Sequence, residues 1–456
     1  QADLLVYGMG ERATREIAAR LARGEKVDTI TDVRGTAFAA NDTACAFESV
    51  SVPSFEAVVA DKRDYAVATK IEYEEHDCIR GKAITQRHGD KVVIVNPPQK
   101  PLSREELDAV YALPFAREVH PMYDELGGVA AIEEVRFSVA HNRGCFGGCN
   151  FCALAFHQGR QITARSHESV IEEAKKITEM DDFKGYIHDI GGPTANFRFP
   201  SCKKQEKAGL CADKKCLAPT MCPAVEVDHS DYLKLLRELR KLPKVKKVFI
   251  RSGIRFDYLI ADKDESFFKE LITHHVSGQL KVAPEHCSNN VLKYMGKPKI
   301  EVYNRFEKRF YELTKSAGKK QYLVPYLMSS HPGSTINDAI ELSLFLKRNN
   351  LHPEQVQDFY PTPGTVSTCM FYTGLDPNTM QKVYVPKTAK EKAEQRALLQ
   401  YFKPENRELV LSALKKAKRF DLIGTGKNCL AAAPQGQKAN YQKPKKRIRN
   451  IHKKKK

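Results

Sequence analysis

The chain has 456 residues, 42% of them hydrophobic and 29% charged, an ordinary globular balance that supports a sizeable core. At roughly 150 residues per domain the length suits three domains, or one large barrel with attachments. No run approaches the ~18 uninterrupted apolar residues of a membrane helix, which excludes a transmembrane reading; the net charge of +18 is uneven, because Lys438 to Lys456 hold ten Lys/Arg and no acid.

In chain order, Gln1-Ala2-Asp3-Leu4 shows neither an initiator Met nor a signal peptide and reads as the start of a fragment. Leu4-Leu5-Val6-Tyr7, then Gly8-Met9-Gly10 and a helical stretch to Leu21, form a strand–turn–helix unit as in an open α/β sheet. A polar helical stretch spans 54–76, a hairpin turns at His88-Gly89-Asp90, and prolines and Gly127-Gly128 mark a linker. This first region is assigned to residues 1–130.

From about Ile132, strand-like runs alternate with helical ones. The strands expected are 135–139, 185–190, 247–251, 279–283, 322–327 and 355–360. Between them, Ser169 to Glu172 reads as a capping box, Tyr232, Leu235, Leu236 and Leu239 share a helical face, and Gly318 suits a helix end. Six βα units in a row imply a parallel sheet with helical crossovers, here a partial (β/α)6 TIM-like barrel over 131–375, with functional residues at the strands' carboxyl ends. A helical extension (376–437) and a basic, disordered tail (438–456) complete the chain.

Twelve cysteines in a large chain without an export signal point to a reducing cytoplasm and thiolates used for metal. Seven lie between Cys145 and Cys222, in two groups. The first is Arg143-Gly144-Cys145-Phe146-Gly147-Gly148-Cys149-Asn150-Phe151-Cys152, with C-x3-C-x2-C spacing just past the first barrel strand. Zinc sites usually draw ligands from two separated pairs. A cubane cluster has four irons, so three local thiolates leave one open for a ligand.

This motif, with the aromatic Phe151 before its third cysteine, resembles the radical S-adenosylmethionine (SAM) superfamily. Asp3 to Glu11, Ser252 to Tyr258, Lys281 to His286 and Val356 to Gly374 are similar to the YgiQ family within it. The resemblance implies that Cys145, Cys149 and Cys152 hold a [4Fe-4S] cluster whose fourth iron binds SAM. It implies reductive cleavage of SAM to a 5′-deoxyadenosyl radical, a substrate that the family leaves undefined, and a reducing electron donor of flavodoxin or ferredoxin type. Phe151, Gly191, Gly192, Ser252, Arg255 and Glu285 become the expected cofactor contacts. Gly191 and Gly192 would meet the SAM amino group, Arg255 a carboxylate, and Glu285 a ribose hydroxyl. The N-terminal region of full members resembles a cobalamin-binding fold. The D-x-H-x-x-G signature is absent here, and cobalamin is not expected.

The second group, Cys202, Cys211, Cys216 and Cys222, has irregular C-x8-C-x4-C-x5-C spacing in a lysine-rich insertion over 200–225. Such a loop can fold around a metal, either an auxiliary iron-sulfur cluster or a structural zinc. The competing reading of the whole chain is a non-catalytic Cys-rich metal- and RNA-binding protein. In either case the tail offers at most weak, salt-sensitive nucleic-acid contact.

Overall fold

The computed structural model describes residues 2–433; the basic tail falls outside them. Among the described residues no helix is long and apolar enough to cross a membrane. The fold is mixed α/β.

The N-terminal region is built on a five-stranded sheet in the order Leu5–Val6, Thr36–Ala40, Lys91–Val95, Ala83–His88, Ser49–Ser51. The predicted hairpin is present, and His88 pairs with Lys91 across its turn. The open α/β sheet of cobalamin-binding type expected here is not what forms. Three of the four strand pairings are antiparallel, and only Ser49–Ser51 against Ala83–Thr85 is parallel. The strand at Leu5–Val6 lies on the rim, antiparallel to Thr36–Ala37, and two strands (Thr36–Ala40 and Ser49–Ser51) had no sequence signal strong enough to read. Buried Asn96 locks the turn into this sheet, its Nδ2 donating to the carbonyls of Thr31 and Val33 and to Thr36 Oγ1.

In the second region the expected strands recur, all parallel, with the fourth and fifth extended by two residues at their carboxyl ends. Ser138–Ala140 pairs with Asp189–Gly191, and Tyr186–Ile187 with Lys247–Val248. Gln279–Glu285 pairs with Tyr322–Ser329, which pairs in turn with Gln357–Asp358. The two groups meet through a backbone hydrogen bond from Ile250 N–H to His275 O rather than through a ladder. The first strand starts three residues later than expected, because a short helix takes Ile132–Val135.

The crossover helices bury the faces that their periodicity predicts. The helix His167–Thr178 turns Val170, Ala174 and Ile177 inward, and Ser230–Leu239 turns Tyr232, Leu235, Leu236 and Leu239. The first of these starts three residues earlier than its expected capping box: Ser166, not Ser169, is the cap, accepting from Ser169 N–H. The helix Ile300–Ser316 ends before Gly318, which takes a left-handed φ of 64°. Tyr303, Phe306 and Phe310 from this helix join the main core. A second core gathers Ile340, Leu398, Leu411 and Leu414, so the helices Ala389–Leu399 and Arg407–Lys416 pack onto Ile336–Arg348.

Two expectations follow. Phe306 is fully buried between Phe256, Phe268 and Phe310, so Phe306→Ala should cost about 3–5 kcal/mol, read as a lower urea midpoint at unchanged slope. Burial also holds His275 and His286 at about 4 and His331 at about 3. Unfolded histidine titrates near ~6.5, so between these values the unfolded chain binds protons that the folded chain refuses. Stability should therefore be complete above pH ~6.5 and fall as the pH drops toward ~4, by up to ~1.4 kcal/mol per unit for each such group. Thermal midpoints between pH 7 and 5 should show this fall, shallower in His275→Asn.

Candidate functional site

The three-cysteine loop leaves the first parallel strand and is shaped by close backbone contacts. Gly144 has a left-handed φ of 86°, and a Cβ there would lie 2.0 Å from the Gln161 carbonyl oxygen. A Cβ on Gly147 would come within 2.9 Å of Arg255 Nη1 and 3.3 Å of Cys145 Sγ. Only glycines let the loop fold this tightly over its own thiols.

Arg255, which caps the helix Phe256–Ala261 in the segment after the third strand, reaches into this loop. Its Nε and Nη2 grip Asp257 at 2.9 and 2.6 Å, and its Nη1 donates to Cys149 Sγ at 3.4 Å. Asn196 fixes its backbone, accepting from Arg255 N–H at 2.8 Å. Burial alone would lower the arginine's pKa, but Asp257 and the neighbouring thiols raise it, so it stays a cation. The thiols feel the opposite pull. Burial raises Cys145 and pushes Cys152 up to about 11, so thiolates here call for a cation beside them. Thr194 Oγ1 lies 3.3 Å from Cys145 Sγ.

Gly191 and Gly192 sit at the end of the second strand. The Gly191 carbonyl already accepts from His141 N–H at 2.9 Å. A Cβ on Gly192 would fall 1.7 Å from Asn142 Oδ1. That oxygen is buried and has no hydrogen-bond partner among the described residues, although its Nδ2 serves the Thr194 and Phe197 carbonyls. Ser252 stands beside Gly191, where a Cβ would lie 2.1 Å from its Oγ. Its hydroxyl donates to Asp189, whose carboxylate also accepts from Arg251 N–H at 2.8 Å and Ser252 N–H at 3.1 Å.

Glu285 ends the fourth strand where the register slips between Val282 and Glu285. This irregularity gives Glu285 a φ of 69° and turns it inward. Burial raises its carboxyl pKa against the pull of Lys297, 3.9 Å away, and then of Arg255. Glu285 lines an open cleft of about 1170 Å³ together with Phe151, Cys152, Tyr326, Tyr360 and Arg396.

The fold thus gathers Cys145, Cys149, Cys152, Phe151, Arg255 and Glu285, with the two glycines and Asn142 at the strand-end rim. Ser252 stands at the same rim, its hydroxyl on Asp189. Sequence reasoning missed Asn142, Asp189, Asn196, Asp257 and Lys215. Asp257 stood two residues from an expected contact and was within reach; the others carry no motif.

Lys215 comes from the cysteine-rich insertion. Its Nζ donates to Gly148 O at 2.5 Å and to Asn150 Oδ1, clasping the three-cysteine loop from outside. All twelve cysteines are free. Among the described residues no three Cys, His or acidic side chains converge tightly enough to ligate a single ion. A cubane does not ask for that convergence, since each iron takes its own thiolate.

Residues 1–138 match the model described as Radical SAM N-terminal, and residues 354–455 match a domain of unknown function, DUF3362. A UPF0313 protein of Clostridium perfringens strain 13 is 58% identical over 94% of this chain and 65% of its own length. One from Clostridium botulinum strain 657 is 56% identical over 94% of this chain and 67% of its own. The chain belongs to the UPF0313 family of radical SAM proteins. It spans about 65% of the length of the first of these relatives. Among solved structures, the cobalamin-dependent SAM radical enzyme OxsB, with aqua-cobalamin bound, is 10% identical at a TM-score of 0.47, covering 91% of this chain and 55% of that one. The radical SAM methyltransferase TsrM of Kitasatospora setae, with tryptophan and a SAM analogue, is 14% identical at a TM-score of 0.39, covering 76% and 50%. Neither likeness is close enough to transfer a ligand or a reaction.

The clasp is testable in the metal-free chain. Lys215→Met leaves the Gly148 carbonyl and Asn150 without their donor, at a cost of about 1–3 kcal/mol. Anaerobic alkylation of Cys149 by iodoacetamide should run several-fold faster than in the wild type.

Proposed function

We propose that the chain carries the catalytic core of a radical SAM enzyme, with a [4Fe-4S] cluster held by Cys145, Cys149 and Cys152. The parallel strands read together as a partial six-stranded barrel, with the site at its carboxyl-end rim. One observation carries this reading: Arg255, pinned by buried Asp257, sets a cation 3.4 Å from Cys149 Sγ in a glycine-tight loop that holds three thiols.

The donor set fits the group. Three soft thiolates account for three irons and leave the fourth for SAM. When bound, the cluster and SAM supply a one-electron cleavage that yields a 5′-deoxyadenosyl radical. The protein's own residues bind and orient. Arg255 offsets the negative charge of the thiolates and keeps Cys149 facing inward. Asn142 Oδ1, buried and without a partner beside Gly192, is the acceptor suited to the SAM amino group. This refines the expectation of backbone carbonyls at Gly191 and Gly192: the glycines give room, and the asparagine accepts. Glu285, tethered near Lys297, offers a carboxylate to a ribose hydroxyl, and Phe151 walls the cleft. The cleft between Phe151, Tyr326 and Tyr360 is the place for the substrate, and a ferredoxin- or flavodoxin-type donor supplies the electron.

Anaerobic reconstitution followed by electron paramagnetic resonance tests the proposal. The reduced signal should shift on addition of SAM, and Cys149→Ala should abolish both that shift and 5′-deoxyadenosine formation. A reduced wild-type signal indifferent to SAM would refute the reading. Asn142→Ala should keep the cluster but weaken the SAM-induced shift by about tenfold in SAM concentration, the worth of one hydrogen bond to a charged group.

A further inference from the structure

The insertion between the second strand and the helix Ser230–Leu239 closes on itself, with Glu226 N–H donating to Ser201 O at 2.9 Å. Inside that closure lie one short helix, Lys203–Ala208, and irregular chain. Of its apolar side chains, only Leu217 and Ala218 are buried, and only Met221 and Val225 join Leu217 partly against Phe146, Phe197 and Tyr258. A closed loop of this size with so little core needs another source of order.

Its four cysteines are drawn to one side. Ser201 Oγ stands between two of them, 3.4 Å from Cys216 Sγ and 3.9 Å from Cys202 Sγ. Cys222 N–H donates to the Cys216 carbonyl at 2.8 Å. A lysine accompanies Cys211: Lys204 Nζ lies 3.9 Å from its Sγ. Cys211 and Cys216 also line a cavity of about 520 Å³ that runs to Phe146, Gly148 and Asn150 of the three-cysteine loop.

We propose that Cys202, Cys211, Cys216 and Cys222 hold a second iron-sulfur cluster, which folds the insertion and keeps Lys215 clasped to the first site. Thiol chemistry selects a soft metal. Sequence spacing is unlike that of zinc sites, with no C-x2-C pair among the four. A zinc ion draws four sulfurs to about 2.3 Å from one point, and these thiols do not approach a common point. Separate irons at the corners of a cubane accept sulfurs held further apart. Charge agrees as well. Four thiolates on a cluster leave a net negative charge, and Lys204 stands beside Cys211 to offset it. The cluster then stands where a hydrophobic core would, and its nearest consequence is the position of Lys215, immediately before Cys216 in the chain.

The test separates this site from the first. The full chain carrying Cys145→Ala, Cys149→Ala and Cys152→Ala is reconstituted anaerobically with iron and sulfide. It should retain about four iron and four sulfide per chain, with a reduced paramagnetic signal indifferent to SAM, against about eight of each in the wild type. Changing the four insertion cysteines to serine should remove about half of the wild-type iron while leaving a SAM-sensitive signal. Limited trypsin digestion gives a second measure: the lysine-rich insertion should be cut rapidly in the metal-free chain and protected after reconstitution of the triple variant. A triple variant that takes up no iron, or that takes up a single zinc instead, overturns the proposal. That result stands whatever the wild type does with SAM.

Discussion

The site depends on one buried charge pair, Arg255 with Asp257. A guanidinium out of water is costly unless it is fully engaged. Here two nitrogens meet the carboxylate, a third meets Cys149 Sγ, and the backbone is fixed by Asn196. This arrangement ties the start of the helix Phe256–Ala261 to the cysteine loop. It also explains Gly147, since any side chain there would strike Arg255. Glu285 adds to the same balance from the fourth strand, restrained by Lys297.

Around that pair the chain is closed from three directions. The parallel strands present their carboxyl ends. The N-terminal region packs against the same rim, with Arg143 bonding Glu11 and Arg160 lying 3.9 Å over the Tyr73 ring. The insertion reaches over with Lys215. Family membership agrees with this architecture, because the Radical SAM N-terminal match covers the N-terminal layer. The cleft opposite is walled partly by Tyr360 and Arg396, which lie within the match of unknown function. That C-terminal part therefore shapes the space beside the cysteines rather than standing apart from them.

The places where expectation and structure part share a cause. The N-terminal sheet is largely antiparallel because its register is set by pairings such as Leu5 with Ala37 and Ala37 with Val95. Local hydrophobic pattern does not encode such partners. The capping box at Ser169 was three residues late because Ser166 also has the right side chain, and only the entry angle of the chain chooses between them. Ser252 gives its hydroxyl to Asp189, 63 positions earlier, a partner that no local pattern names.

Motif chemistry and periodicity were therefore legible in the sequence alone. The three-cysteine spacing, the hairpin at His88-Gly89-Asp90 and the inward faces of the helices follow from residue type and local repeat, which act over a few positions. The tertiary structure alone decided which polar groups meet. Asn142 beside Gly192, Arg255 on Cys149 and Lys215 on Gly148 are separated by 50 to 106 positions in the chain. A buried polar group takes whichever partner the packing brings within reach, and no short-range pattern records that choice.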